Sequence, residues 1–151
     1  MRADGIRGRW RALPRPARWA LVVYVGGFLE GACYHALDLL RGGIHAYSGV
    51  GPLPVRVFFT ALVALDPLVV VLTLRARPSA LWAAGGVMTL DVLANRYVNW
   101  SWVTTDPGQL LRPVGLLPIT LFGLFVAATV LPLRNAFTGA APRHPGARCA
   151  G

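Results

Sequence analysis

The sequence predicts an all-α integral membrane protein, a bundle of four transmembrane helices with both termini in the cytoplasm. Two features of the composition predict this class. The first is the balance of residue types, since 55% of the 151 residues are hydrophobic and only 14% are charged. The second is the mean hydropathy of +0.53. The third feature is the gathering of the apolar residues into runs about as long as a transmembrane helix requires, roughly 20 residues. A soluble domain usually has roughly a quarter charged residues, so a membrane domain is the better interpretation.

Four runs are long and apolar enough to be spans, and we expect them at about 19–40, 55–74, 79–98 and 113–133. Prolines lie where these helices should begin or end, namely Pro52, Pro54, Pro78, Pro107 and Pro113. The first run follows a basic segment, as the apolar region of a signal peptide does. It is longer than such a region, however, and no A-x-A cleavage site follows it. We therefore expect it to remain as the first helix of a single membrane domain, 19–135.

Arginine counting predicts the orientation. A cytoplasmic N-terminus places eleven of the 15 basic residues, all of them arginine, on the inner side and four on the outer side, as the positive-inside rule favours. Tyr97, Trp100 and Trp102 should then mark the outer interface. The Arg-, Pro- and Gly-rich segments 1–18 and 136–151 are expected to be cytoplasmic tails that are flexible or lie on the anionic inner leaflet.

The charge and the cysteines exclude several classes. The net charge of +9 comes from arginines that flank apolar runs, which is typical of a membrane protein and argues against nucleic-acid binding. Arginine without lysine indicates a GC-rich bacterial genome and hence a bacterial inner or plasma membrane. Cys33 and Cys149 form neither a disulfide framework nor a zinc pattern.

Three carboxylates should lie near the middle of the membrane, one on each of the first three helices: Glu30, Asp66 and Asp91. A charged residue at that depth costs roughly 2.5–3.5 kcal/mol on insertion scales and usually faces the bundle interior. We expect at least one of them to be protonated at neutral pH, because burial and like charges disfavour the ionised form.

Helical spacing places further polar residues beside these carboxylates. The predicted ligand-binding residues share the stripes that contain the three carboxylates: Glu30, Tyr34, Asp38, Asp66, Met88, Asp91 and Asn95. No residue is assigned a catalytic role, but Glu30, Asp91 and His35 are the candidates for an acid and a base.

Structural interpretations of the same residues stay open. Asp66 precedes Pro67 and could bond a neighbouring turn, while Asp38 could pair with Arg96 between helices. A lone histidine such as His35 is often structural. Gly27-x-x-x-Gly31 is a helix-packing motif that could serve the monomer or a homodimer.

No cofactor or metal is expected. The chain has one His35-x-x-Asp38 pair without a partner, whereas di-metal bundles use Glu-x-x-His on two helices. No Ser-His-Asp set, P-loop or dinucleotide motif is present.

The run LEGACYHALDLL (29–40), ALDPL (64–68), the Arg-Pro of the turn before the third helix and LDVLAN (90–95) together resemble the EXPERA superfamily. These are emopamil-binding sterol isomerases and related small endoplasmic-reticulum proteins, and the resemblance implies four or five helices around a lipid-sized pocket. Glu30 before Gly31 is similar to the glutamate of the isomerase first-helix motif. Gly26 and Phe58 occupy the positions where those isomerases have a histidine and a second glutamate.

The sequence thus predicts an interior, carboxylate-lined pocket for a membrane lipid or a lipid-like or hydrophobic cationic small molecule. The alternatives are a membrane-embedded lipid or isoprenoid isomerase, a proton-coupled small carrier, and a structural membrane subunit.

Overall fold

The computed structural model describes residues 3–108 and 115–139, with side chains described from residue 5 onward. Within this part the protein is all-α, and its six α-helices are α1 (Ala3–Ala12), α2 (Arg15–Gly42), α3 (Leu53–Leu74), α4 (Ser79–Val98), α5 (Trp100–Thr105) and α6 (Leu116–Gly139). A short 3₁₀ turn, Gly43–His45, follows α2. Arg112, Pro113, Cys149 and most of the predicted C-terminal tail lie outside the described residues.

Helix α2 is longer than the predicted first span because its start is fixed by prolines. Pro14 occupies the N-cap and Pro16 lies in the first turn. Backbone N–H groups in the first turn have no acceptor within the helix, so a proline there costs no hydrogen bond. At the other end Gly43 has φ of 58° and its N–H donates to the Leu39 carbonyl. A glycine adopts this conformation without a Cβ clash, so the helix ends there.

The turn between α3 and α4 is tight. Ala76 has φ of 46°, its N–H donates to the Thr73 carbonyl, and the N–H of Arg77 donates to the Leu72 carbonyl. These two bonds form a Schellman motif, which satisfies the last carbonyls of a helix. It makes α3 and α4 antiparallel neighbours.

Helices α2, α3, α4 and α6 pack side by side, with α2 against α3, α3 against α4, α4 against α6 and α6 against α2. The largest buried cluster joins α2, α3, α4 and α6, and its members include Leu21, Tyr24, Phe28, Val69, Leu81 and Val126. Tyr24 donates to the Val126 carbonyl at 3.1 Å and lies 3.0 Å from Thr129 Oγ1. Helices α2 and α6 are therefore held together in the half of the bundle nearer to α1.

The short helix α1 docks on the end of the bundle where α3 stops, called here the N-terminal end. Trp10 Nε1 donates to the Leu74 carbonyl at 2.8 Å, an acceptor in the last turn of α3 that lacks a helical partner. Leu13, which connects α1 to α2, is 3% exposed. The segment predicted as a tail up to residue 18 thus contains a helix and the first turn of α2, because Trp10 and Leu13 can bury apolar surface against the bundle.

Three helical segments of the described chain are long and apolar enough to cross a membrane: Arg15–His45, Leu53–Leu74 and Leu116–Gly139. The prediction of an all-α protein is confirmed for the described residues, with three helices that could span a membrane by their length and composition. Helix α4 has the residues predicted for the third span, Ser79–Val98, but it is not among the three, because Asp91, Asn95 and Arg96 lower its hydropathy.

Candidate functional site

A cavity of about 770 Å³ lies between α2, α3, α4 and α6, within the range of small-molecule sites. It occupies the half of the bundle nearer to the 3₁₀ turn, called here the loop end. Its polar wall comes from the first three of these helices, and the residues are Glu30, Tyr34, His35, Asp66, Asp91 and Asn95. Its apolar wall comes mainly from α6, through Pro118, Ile119 and Phe122.

On α2 the residues that face the cavity follow helical spacing, as predicted. Gly27, Glu30, Gly31 and Tyr34 all line it. Glu30 is an exposed residue of this wall, and no described residue gives its carboxylate a hydrogen bond or an ion pair within 4.0 Å.

Asp66 faces the α2 wall from α3. It is only 4% exposed, and a Cβ built on Gly31 would lie 2.8 Å from Asp66 Oδ2. The glycine therefore allows the carboxylate to approach the α2 backbone. Among the described residues Asp66 accepts no hydrogen bond, so it does not bond the turn before Pro67, as one interpretation of the sequence proposed.

The α4 wall contains the third carboxylate. Asn95 Nδ2 donates to Asp91 Oδ1 at 2.9 Å and to the Asp91 carbonyl at 3.0 Å, because residues four apart lie on one helix face. Met88 lines the same wall and is 6% exposed. Asp91 is therefore partly satisfied within its own helix, unlike Glu30 and Asp66.

Aromatic rings close the cavity toward the N-terminal end. The rings of Phe28 and Phe122 lie edge to face at 5.4 Å between centroids, and Tyr24 lies beside both. A Cβ on Gly27 would contact the Phe122 ring, so this glycine makes room for α6. Gly27 and Gly31 are both used inside one chain, against different helices, as the packing interpretation of Gly27-x-x-x-Gly31 proposed.

Asp38 is the predicted ligand-binding residue that does not line the cavity. Tyr47, in the loop between α2 and α3, donates to Asp38 Oδ2 at 3.1 Å, and its hydroxyl lies 2.9 Å from His35 Nδ1. The alternative interpretation, an ion pair between Asp38 and Arg96, is not observed, because each side chain has a different partner. Arg96 points to α6, where its NH2 group lies 3.5 Å from Thr120 Oγ1.

Two groups of residues at the site were not predicted from the sequence. One is the α6 wall, because a uniformly apolar helix gives no sign of which face it turns inward. The other is Tyr47, a buried residue in a glycine-rich loop whose pattern contains no signal for it. Among the described residues no group of three or more His, Cys, Asp or Glu is placed to hold a metal ion.

Comparison with known proteins gives one partial similarity. Over 92 residues, 61% of this chain, the sequence is 35% identical to a CRISPR-associated endonuclease, Cas1 1, of Pyrobaculum aerophilum. The chain spans only 29% of the length of that protein, so the similarity does not establish a family. No family model matches the sequence, and no solved structure matches it.

Proposed function

We propose that the protein is a bacterial membrane protein of four spans whose cavity binds a lipid-like or hydrophobic small molecule with a cationic or hydroxyl group. One observation carries the proposal. Two carboxylates, Glu30 and Asp66, line the 770 Å³ cavity and have no hydrogen-bond or ion-pair partner among the described residues.

The chemistry of the wall selects the ligand. An ionised or neutral carboxyl group that leaves water without a partner costs free energy, and a cation or a hydrogen-bond donor removes that cost. No arginine is among the described residues that line the cavity, and no described residue donates a hydrogen bond to Glu30 or Asp66, so we expect the donor to come from the ligand or from water. The apolar α6 wall, opposite the carboxylates, suits the hydrocarbon part of an amphiphile.

The placement in the membrane is supported by the surface and by the arginines. Large apolar side chains point outward along the helices, among them Val22, Leu29, Leu68, Leu121 and Leu124. Eight of the arginines with described side chains belong to the N-terminal end (Arg7, Arg9, Arg11, Arg15, Arg18, Arg75, Arg77 and Arg134) and three to the loop end (Arg41, Arg56 and Arg96). In this proposal α4 also crosses the membrane, as the third of four spans, and both termini are cytoplasmic.

A second candidate function is lipid or isoprenoid isomerisation, which the resemblance to EXPERA isomerases also implies. One observation favours it: Glu30, Asp91 and His35, the predicted acid and base residues, all line the same cavity. Isomerisation predicts an altered lipid profile in cells that lack the gene.

A proton-coupled carrier would instead show pH-dependent uptake into liposomes. The endonuclease activity in the name of the partly similar protein is not part of the proposal.

Thermal unfolding in a neutral detergent tests the binding proposal, with dodecylammonium as the probe and an uncharged amphiphile of equal chain length as the reference. We expect the cationic probe alone to raise the Tm of the wild type. Glu30→Gln should weaken this binding about tenfold, since a hydrogen bond to a charged group contributes about 1.5–3 kcal/mol.

Asp106→Asn is the matched control, because it replaces a carboxylate by an amide at an exposed position outside the cavity, and it should bind the probe as the wild type does. Equal stabilisation of wild type and Glu30→Gln, with equal unliganded Tm, would contradict the proposal. A lower unliganded Tm of Glu30→Gln, with the shift unchanged, would favour a purely structural role for the carboxylate.

A further inference from the structure

The predicted site does not explain the hydrogen-bonded chain that runs from Asp38 through Tyr47 to His35. Asp38 is exposed at the loop end and His35 lines the cavity, so the chain connects the end of the bundle with the cavity wall. Tyr47 is the residue between them, and it is 9% exposed. A loop residue buried in this way orders the histidine that faces the cavity.

The direction of the hydrogen bonds determines the protonation of His35. An ionised carboxylate only accepts hydrogen bonds, and a tyrosine has one hydroxyl proton. Because Tyr47 donates that proton to Asp38 Oδ2, its oxygen must accept from His35, 2.9 Å away. The proton of a neutral His35 is thus on Nδ1, and Nε2 has a free lone pair.

The surroundings keep this arrangement in place. The His35 ring stacks on the Phe59 ring with 6.2 Å between centroids and 21° between planes. The Tyr47 ring also packs against the Phe59 ring, with 5.6 Å between their centroids. Burial, together with the neighbouring Asp38 carboxylate, raises the pKa of the Tyr47 phenol, so its hydroxyl keeps its proton and remains a donor. His35 Nε2 has no hydrogen-bond partner among the described residues.

We infer that Asp38 and Tyr47 are positioning residues that hold His35 in the Nδ1–H form, so that Nε2 accepts a hydrogen bond from a hydroxyl group of the ligand in the cavity. This inference rests on the proposed function and makes it more specific. Glu30 and Asp66 would receive an ammonium group and His35 a hydroxyl group. The ligand class is then a long-chain amino alcohol, which the site distinguishes from a simple long-chain amine.

The protonation of His35 can be measured directly by nitrogen NMR of protein labelled with ¹⁵N-histidine, where the His35 signals are those lost in His35→Gln. We expect a bare Nε2 and a protonated Nδ1. Tyr47→Phe should increase the fraction with a proton on Nε2, while Tyr97→Phe, the same change at an exposed tyrosine, should not. A protonated Nε2 in the wild type, or no response to Tyr47→Phe, would overturn the inference.

Binding of a long-chain amino alcohol and of the amine of equal length tests the role of the acceptor. One neutral hydrogen bond should favour the amino alcohol about fivefold in wild type and in Tyr97→Phe, and this preference should be lost in Tyr47→Phe and His35→Gln. The affinity for the simple amine should stay the same in all four proteins. Equal affinities in the wild type, both weakened by Glu30→Gln, would overturn the inference and leave the proposed function intact. Failure of both ligands to bind would overturn the proposed function itself.

Discussion

Single residues decide how closely the helices around the cavity approach one another. At Gly27 the missing side chain leaves room for the Phe122 ring of α6, and at Gly31 it leaves room for the Asp66 carboxylate of α3. Gly26, one residue earlier, has no atom within 4 Å of the position of a Cβ. Two neighbouring residues of the same type therefore differ in what an added side chain would contact.

Gly27→Ala should lower the free energy of unfolding by about 1–3 kcal/mol, the usual cost of overpacking, because Phe122 would have to move. Gly26→Ala is the matched control and should be neutral or stabilising by up to about 1 kcal/mol, since alanine favours the helix. Thermal unfolding of both variants in detergent checks the difference. Equal stabilities would show that α2 and α6 do not meet at Gly27.

At the scale of elements, α1 is attached to the bundle by few contacts. The indole of Trp10 caps the last turn of α3, and Leu13 is buried beneath the connection to α2. The remaining described residues of α1 are mainly exposed glycines and arginines. The Trp10 indole thus makes the shorter of the two side-chain hydrogen bonds that, among the described residues, attach this basic helix to the end of α3, the other being the 3.4 Å bond from Arg9 to the Arg75 carbonyl.

Trp10→Phe should increase the local opening of α1 about fivefold, since it removes one hydrogen bond of about 1 kcal/mol. Amide hydrogen exchange of residues 5–12 measures this opening. Trp19→Phe is the control, because Trp19 is 71% exposed and makes no such bond. If both variants exchange like the wild type, the indole does not hold α1 in place.

Much of the helical framework and of the polar wall could be predicted from the sequence. Pro78 precedes the third predicted span and polar residues end it, and its bounds agree with those of α4. The helical period of 3.6 residues placed Glu30, Tyr34, Met88, Asp91 and Asn95 on inward-facing stripes, and all five line the cavity. Periodicity describes only one helix at a time, however. It could not show that Phe122 closes the cavity, nor that Tyr47 folds back from a loop, because both contacts join residues far apart in the chain.

At the scale of the whole molecule, the path of α4 decides the topology. If α4 crosses the membrane, the turn at Arg75–Pro78 and helix α5 lie on opposite sides. The exposed Trp100 and Trp102 of α5 are typical of a membrane interface. Four spans place them at the outer surface.

Labelling of intact cells with a membrane-impermeant maleimide tests this topology, in a background without Cys33 and Cys149. Ser101→Cys, in α5, should be labelled from outside. Ser79→Cys, at the start of α4, should react only after the cells are permeabilised. Labelling of both residues from the same side would contradict a membrane-spanning α4.

The central claim is that Glu30 meets a ligand rather than only another helix. Mass spectrometry of small molecules that copurify with the wild type and with Glu30→Gln, in parallel with Asp106→Asn, tests it most directly. We expect a cationic or hydroxyl-bearing amphiphile with the wild type and Asp106→Asn and its loss from folded Glu30→Gln. The same bound molecules in all three proteins, or none in any of them, would contradict the claim.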